Sequence, residues 1–272
     1  MNAIFVANKP IGLSSNQFLS RLKRKYGVKK AGYSGTLDPF ASGSLIVAFG
    51  SYTRLFQFLK KSPKVYTATM WIGASSNSLD NKNITKVQKI LPFAPSSLEI
   101  VRQSLLGEID FIPPRYSAKN INGERAYNLA KRGVNFELKQ QKMTVFDMKI
   151  LHYSHPFLTF EISLSEGGYV RSYAEIFAKK LGFDATLTML KRESEGKFRF
   201  ENEKFLNPKD ILEIEQNEYF GDVLDIIDGK KLTVLNFKKQ EKGIYLLNYD
   251  KFISIIEIGD EIKYCLNKVD IC

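Results

Sequence analysis

The sequence predicts an α+β protein: a central sheet with helices on it, followed by a small C-terminal β module. Three observations predict this. Over residues 1–200, short apolar runs of β type are interleaved with helical periodicities. Residues 201–228 are strongly acidic and read as a helical connector. Beyond them every apolar run is short and of β type.

Residues 3–7 form a short apolar strand. Residues 15–26 predict a helix whose buried face is Phe18, Leu19, Leu22 and Tyr26. Ser14 or Ser15 caps it and Gly27 ends it. Its other face carries Arg21, Lys23, Arg24 and Lys25. Residues 31–43 are a Gly/Ser/Pro-rich loop, 44–49 are apolar, and 52–60 read as helical through Leu55, Phe56, Phe58 and Leu59. Lys64 to Ile72 reads as a strand with Tyr66, Ala68, Met70 and Ile72 on one side. A Ser/Asn-rich connector spans 74–84.

Ser96-Ser97-Leu98-Glu99 reads as a capping box that opens a helix ending near Gly107. Residues 110–123, with two prolines and polar turn residues, predict an ordered loop, and 124–132 a helix stopped by Gly133. Strands at about 142–154 and 157–164 are joined by a Ser-His-Pro turn. A helix over about 172–181 stops at Gly182, and 193–200 return as a strand. Runs at 232–237, 243–247, 252–258 and 261–266 make the last module.

The chain has 272 residues, 44% hydrophobic and 25% charged, which suits one large or two smaller globular domains. No apolar run approaches a membrane span, and the N-terminus reaches Lys9 too soon for a signal peptide, so a cytoplasmic location is expected. Cys265 and Cys272 are both near the C-terminus and cannot staple the main body. His152 and His155 form a His-x-x-His without a metal-type partner spacing and read as turn residues between two strands. Acid–base chemistry is therefore left to Asp/Glu, Tyr, Lys and Arg.

Charge is unevenly spread. The whole chain carries +11, residues 201–228 carry −7 and residues 229–272 carry +2, which leaves +16 on residues 1–200. A polyanion site is expected on that large N-terminal part, the alternative being a solvated basic face with no partner. Asp38 is the only carboxylate in the first 79 residues, against eleven Lys or Arg. An acid repels phosphate, so a single one held in such a surface points to chemistry on a nucleic acid. The competing reading is an Asx-turn before Pro39 or a helix cap.

Three loops combine small residues, an aromatic and a charged group: 32–43 with Tyr33 and Asp38, 113–123 with Arg115, Tyr116 and Lys119, and 165–171 with Tyr169 and Arg171. Tyr66 stands on its strand between them. Aromatics interleaved with cations suit unstacked bases, although each tyrosine alone is more often packing.

The same segments carry a family resemblance. NKPIGLSS at 8–15, GYSGTLDPFASG at 32–43, KVY at 64–66, PPRYSA at 113–118, GGYVRS at 167–172 and LKRESEGKF at 190–198 resemble, in order and rough spacing, the motifs of the bacterial TruB-type tRNA pseudouridine synthases. The resemblance covers about residues 3–200. It implies a central mixed, mainly antiparallel sheet with flanking helices, a catalytic domain at 1–220 and a short, degenerate PUA-like β domain at 221–272. It also implies isomerisation of the T-loop uridine of tRNA, conventional position 55, without metal or diffusible cofactor. The partner implied is the T arm of tRNA, with no membrane and no protein partner.

Residue by residue, Asp38 matches the family's catalytic aspartate, Arg171 its arginine partner, and Tyr66 the tyrosine that stacks on the uracil and serves in proton transfer. Tyr169 and Leu190 match residues lining the base pocket, and Lys9, Lys64 and Lys119 are the cations expected to hold the RNA. A carboxylate can attack the ribose anomeric carbon or assist uracil departure through a glycal, and the sequence leaves both open. Two positions depart from the pattern: Tyr33 stands where the family has a histidine that fills space vacated by flipped nucleotides, and Asn120 where it has a lysine. Alternatives are a non-catalytic tRNA-binding or folding protein, or a related synthase acting on another RNA. A paired-carboxylate hydrolase is disfavoured because neither Glu166 nor Asp80 has a dyad spacing to Asp38.

Overall fold

Every second residue of Lys64–Ile72 is buried, as the alternation of its sequence demands. This strand is central to a computed structural model that describes residues 1–271; Cys272, one of the two cysteines, lies outside them. In chain order the strands begin with β1 (Ala3–Lys9), β2 (Ala31–Ser34), β3 (Ser42–Phe49), β4 (Lys64–Ile72), β5 (Ala74–Ser76) and β6 (Ile84–Val87). There follow β7 (Gly107–Phe111), β8 (Asn120–Ile121), β9 (Glu124–Arg125), β10 (Gln141–Ser154), β11 (Phe157–Leu164), β12 (Ala185–Glu195) and β13 (Phe198–Arg199). The C-terminal part adds β14 (Glu215–Asn217), β15 (Gly243–Asn248), β16 (Phe252–Ile258) and β17 (Ile262–Asp270). The helices are α1 (Ser15–Lys25), α2 (Pro95–Gln103), α3 (Ala126–Lys131), α4 (Val170–Lys180), α5 (Pro208–Ile211) and α6 (Val223–Ile227).

Among the described residues the main sheet has nine strands, in the order β1-β3-β12-β4-β11-β10-β7, with β2 paired to β3 and β13 to β12. The pairings are antiparallel except between β12 and β3, so the sheet is mixed and mainly antiparallel. The parallel crossing has a steric requirement. At Gly43, φ is +106° and an added Cβ would stand 2.2 Å from the Arg192 carbonyl oxygen, so only glycine fits.

Helices α2 and α4 cover one face of β4, β10, β11 and β12 with Leu98, Val101, Tyr173 and Phe177. The loop residues Leu37, Phe40 and Ala41 are rooted in that same core. β1 and β3 are buried on both faces, which explains their continuous apolar runs. Phe18 and Leu22 of α1 pack on one side. On the other lie a 3-10 helix over Gly50–Phe58 and the second sheet, β14-β15-β16-β17. That sheet begins at Glu215, ahead of residue 220. Among the described residues no helix is long and apolar enough to cross a membrane.

Several elements differ from expectation, each for a local reason. The helix at 52–60 is a 3-10 helix over Gly50–Phe58. α1 is capped by Ser14, whose side chain accepts from the Gln17 amide while the Gln17 side chain takes the Ser14 amide. By contrast, the capping box at Ser96 and Glu99 does not form. The N-cap of α2 lies two residues earlier, at Ala94, with Pro95 in the first turn, and Glu99 takes Arg102 at 2.6 and 2.8 Å instead. The 74–84 connector contributes β5, which pairs with β6 as a hairpin. The strand placed at 193–200 is the end of a longer one: β12 begins at Ala185, and Gly196 turns it back into β13. The 201–228 segment is not one helical connector but two short helices with β14 between, interrupted by Pro208 and Gly221. The run at 232–237 is not a strand; it holds a short 3-10 turn over Val234–Asn236.

Candidate active site

Asp38 is held out of the core by residues that cannot leave it. Its neighbours Leu37 and Phe40 are buried, and Ser15 Oγ at the start of α1 grips Leu37, accepting from its amide at 3.0 Å and donating to its carbonyl at 3.1 Å. The Gly12 amide donates to the Pro39 carbonyl at 2.7 Å. Between these anchors Asp38 projects into a cavity of about 320 Å³.

Arg171 meets it there from the first turn of α4. One Nη2 donates to Asp38 Oδ2 at 2.8 Å. The same guanidinium donates to the Ser78 carbonyl at 2.8 Å and the Tyr116 carbonyl at 3.0 Å. It is 2% exposed, whereas the Asp38 side chain is 30% exposed. The arginine is thus fixed to three other segments of chain, and the carboxylate stays reachable from the cavity.

Seven of the nine expected site residues line this cavity: all but Lys9 and Tyr33. Tyr66 and Leu190 stand on β4 and β12, and Tyr169 is the N-cap of α4. Lys64 also faces it, but its amine is engaged by Glu195 at 3.2 Å and Glu166 at 3.8 Å. Lys119 is half-buried at the rim. Asn120 accepts from the Gly123 amide at 2.7 Å and so closes the β8–β9 turn.

Lys9 lies beneath the loop, fully buried, donating to the carbonyls of Pro10 and Leu13 at 2.9 and 2.7 Å. An ammonium so enclosed has no surface to present to a phosphate in solvent. Tyr33, on β2, is half-buried against the cluster formed by α1, β1 and β3. His155 is a structural residue, bonded to the Tyr153 hydroxyl at 2.8 Å and the Ile90 carbonyl at 3.0 Å.

Burial pushes the Asp38 carboxyl above its ordinary value; Arg171 opposes the rise, Asp80 adds to it and Lys9 opposes it. Burial likewise raises Tyr66 and Tyr169, with Arg192 opposing at Tyr66. Both phenols therefore keep their protons at neutral pH and can donate. Burial lowers Lys9 to about 8, against the pull of Asp38. Among the described residues no group of three or more His, Cys, Asp or Glu is placed to hold a metal. The cavity can therefore offer a reactive carboxylate, its arginine, two protonated phenols and an apolar wall at Leu190.

Sequence reasoning did not single out Ser15, Asp80 as a charge acting on Asp38, or the buried pair Arg192 and Glu195. LKRESEGKF carried the last two, but a run of alternating charges reads as a solvated strand.

The architecture has known counterparts. A chain in the crystal structure of a Cbf5-Nop10-Gar1 complex matches with a TM-score of 0.70 at 17% identity, covering 99% of this chain and 84% of that one. A chain of the archaeal box H/ACA sRNP Nop10-Cbf5 complex matches at 0.64 and 18% identity, over 99% and 85%. The fold is that of the pseudouridine synthases. Residues 23–170 match the model of the TruB family pseudouridylate synthase N-terminal domain. A tRNA pseudouridine synthase B of Campylobacter curvus is 70% identical over the full length of both chains. One of Campylobacter jejuni is 52% identical, also over both full lengths, and one of a Sulfurovum species 49% identical over 99% and 98%. The chain belongs to the TruB family of pseudouridylate synthases.

Proposed function

We propose that this chain is a tRNA pseudouridine synthase, an isomerase that converts the T-loop uridine at conventional position 55 to pseudouridine. The observation that carries the reading is Asp38 in contact with a buried Arg171 at the wall of a cavity that Tyr66 also lines. The target uridine leaves the stack to reach Asp38, at a cost of a few kcal/mol that RNA contacts supply. The N1–C1′ bond breaks, the uracil turns, C5 bonds to C1′, the C5 proton leaves and N1 takes one up, so atoms balance without a co-reactant. Asp38 either attacks C1′ or assists departure through a glycal. Arg171 keeps the carboxylate ionised and oriented. Tyr66 stacks on the uracil and serves in proton transfer, while Tyr169 and Leu190 wall the pocket.

The T arm of tRNA is the partner, held by the basic residues 1–200, with Lys64 and Lys119 at the cavity. Lys9 acts on Asp38 through its charge. Tyr33 wedges into the space left by flipped nucleotides. The catalytic unit is 1–220, residues 221–272 form the short PUA-like unit, and the enzyme works in the cytoplasm. The test is position-resolved mapping of pseudouridine on an unmodified tRNA transcript and on an isolated T-arm stem-loop. Conversion at position 55 in both is expected. Conversion elsewhere, or none, sinks the proposal.

A further inference from the structure

A buried ion cluster lies directly under the cavity, and the chemistry above makes no use of its Arg192 and Glu195. β4 and β12 pair Tyr66 with Arg192 and Lys64 with Glu195. Simple alternation would turn Arg192 and Glu195 to opposite faces. A β-bulge between Arg192 and Ser194 inserts one extra residue, Glu193, and brings Glu195 onto the face that Arg192 and Lys64 share. The result is a carboxylate of 0% exposure, 2.7 Å from Arg192 Nη2 and 3.2 Å from Lys64 Nζ. Among the described residues neither Glu195 oxygen has a hydrogen bond of regular geometry, so those two cations are its partners.

The cluster touches both halves of the site. Arg192, itself 1% exposed, donates through Nη2 to the Gly35 carbonyl at 2.9 Å and through Nε to the Ser44 carbonyl at 2.8 Å. Gly35 and Ser44 flank the segment that bears Asp38. Gly35 sits on the ion pair itself: its φ is +68°, and an added Cβ would stand 2.6 Å from Glu195 Oε2 and 3.1 Å from Arg192 Nη1. On the other side Arg192 is the cross-strand partner of Tyr66, and both line the cavity. Without the carboxylate, Lys64 and Arg192 would be two like charges on neighbouring cross-strand positions, with nothing to draw Arg192 under the loop.

We propose that Glu195 is a positioning residue for the reaction: through Arg192 and Lys64 its carboxylate sets the height of the Asp38 loop and the orientation of the Tyr66 hydroxyl. The inference rests on reading the Asp38 cavity as the synthase active site. It assigns Glu195 no contact with RNA, since no part of it reaches solvent. Misplacement of reacting groups by about 1 Å costs up to about 100-fold in rate, so a fault in this support shows in turnover rather than in binding.

The experiment compares Glu195→Gln, Glu195→Asp and Asp38→Asn with the wild-type full-length protein. Readouts are single-turnover pseudouridine formation at saturating tRNA transcript, the Kd for that transcript, and a circular dichroism melt. Glu195→Gln is expected to fold, to bind within about twofold of wild type and to react about tenfold slower or more. Glu195→Asp, which keeps the charge but withdraws it, should fall between them. A wild-type rate in folded Glu195→Gln overturns the inference, as does a weakened Kd at an unchanged rate. If Glu195→Gln fails to fold, Glu195→Asp decides: a slowed rate at wild-type Kd supports positioning, and a wild-type rate overturns it. If neither folds, Glu195 holds the fold and positioning is overturned. Asp38→Asn separates the two levels. Background activity there with a wild-type rate in Glu195→Gln sinks positioning alone, whereas wild-type turnover in Asp38→Asn sinks the active-site reading itself.

Discussion

Two arginine–carboxylate pairs stand within this site, and they differ in one respect. In Asp38–Arg171 the arginine is 2% exposed and the carboxylate 30%; in Glu195–Arg192 the values are 1% and 0%. The arginines are alike, each locked by two backbone carbonyls. Burial pushes both carboxyls above their ordinary values, against the pull of their arginines. Neither pair is therefore explained as a device for stability, since desolvation outweighs the attraction. What separates them is access. The carboxylate open to the cavity can meet a substrate, and the enclosed one can only hold other groups in place.

The comparison breaks most visibly at Arg171. Arg171→Ala leaves Asp38 with a lone charge among buried neighbours and frees two carbonyls. Turnover should fall to background. The stability loss should be about 1.5–3 kcal/mol, the range for a hydrogen bond to a charged group, because water still reaches Asp38. Arg171→Lys should not restore full turnover, because an ammonium lacks the fork that meets Asp38 and two carbonyls together. Turnover assays and denaturant melts check both. Full activity in either variant dissolves the pairing.

A smaller effect is expected from pH. The Asp38 carboxyl is raised above its ordinary value near 3.9, so it takes up a proton at higher pH than a free aspartate. Single-turnover rate should fall as pH drops, beginning above that ordinary value, by about tenfold per unit once the group is mostly protonated. The stability effect has the opposite sign. A raised carboxyl destabilises the native state when charged, and the penalty disappears as pH falls through the folded value. A rate that stays flat until the ordinary aspartate range contradicts the upward shift.

The smallest effect lies outside the cavity, at Tyr33. Stacking on the remaining T-loop bases is worth about 1–3 kcal/mol per base. Tyr33→Ala should therefore lose productive tRNA binding, while Tyr33→Phe and Tyr33→His stay near wild type. A fully active Tyr33→Ala refutes the wedge. An unfolded one shows that packing on the α1–β1–β3 cluster is its whole role.

The two pairs also differ in how far the sequence revealed them. Asp38 stands alone in a basic stretch, in a loop whose Gly, Ser and Pro content marks it. Tyr66 lies on a strand of clean alternation. Arg171 sits in a Gly-Gly-Tyr motif. Local composition and alternation mark these segments, while the roles given to Arg171 and Tyr66 come from the family resemblance of the motifs they sit in. Glu195 is not marked in this way, because β12 is interrupted between Leu187 and Met189 and again between Arg192 and Ser194, which destroys the period that identifies a strand and its faces. The bulge that brings Glu195 under the cavity is what concealed it. The acidic segment misled for another reason. Several of its carboxylates pair with lysines outside the segment, Glu213 with Lys60 and Lys197 and Glu218 with Lys238, rather than along a helix.

The account depends above all on Asp38 as the reacting carboxylate, and Asp38→Asn tests it most directly. Asparagine keeps the shape and removes one charge that repels phosphate. With tRNA transcript at saturation, the Kd should equal or improve on the wild-type value, and pseudouridine at the target uridine should not rise above background. Conversion of that uridine by the variant at a rate comparable to wild type would contradict the account.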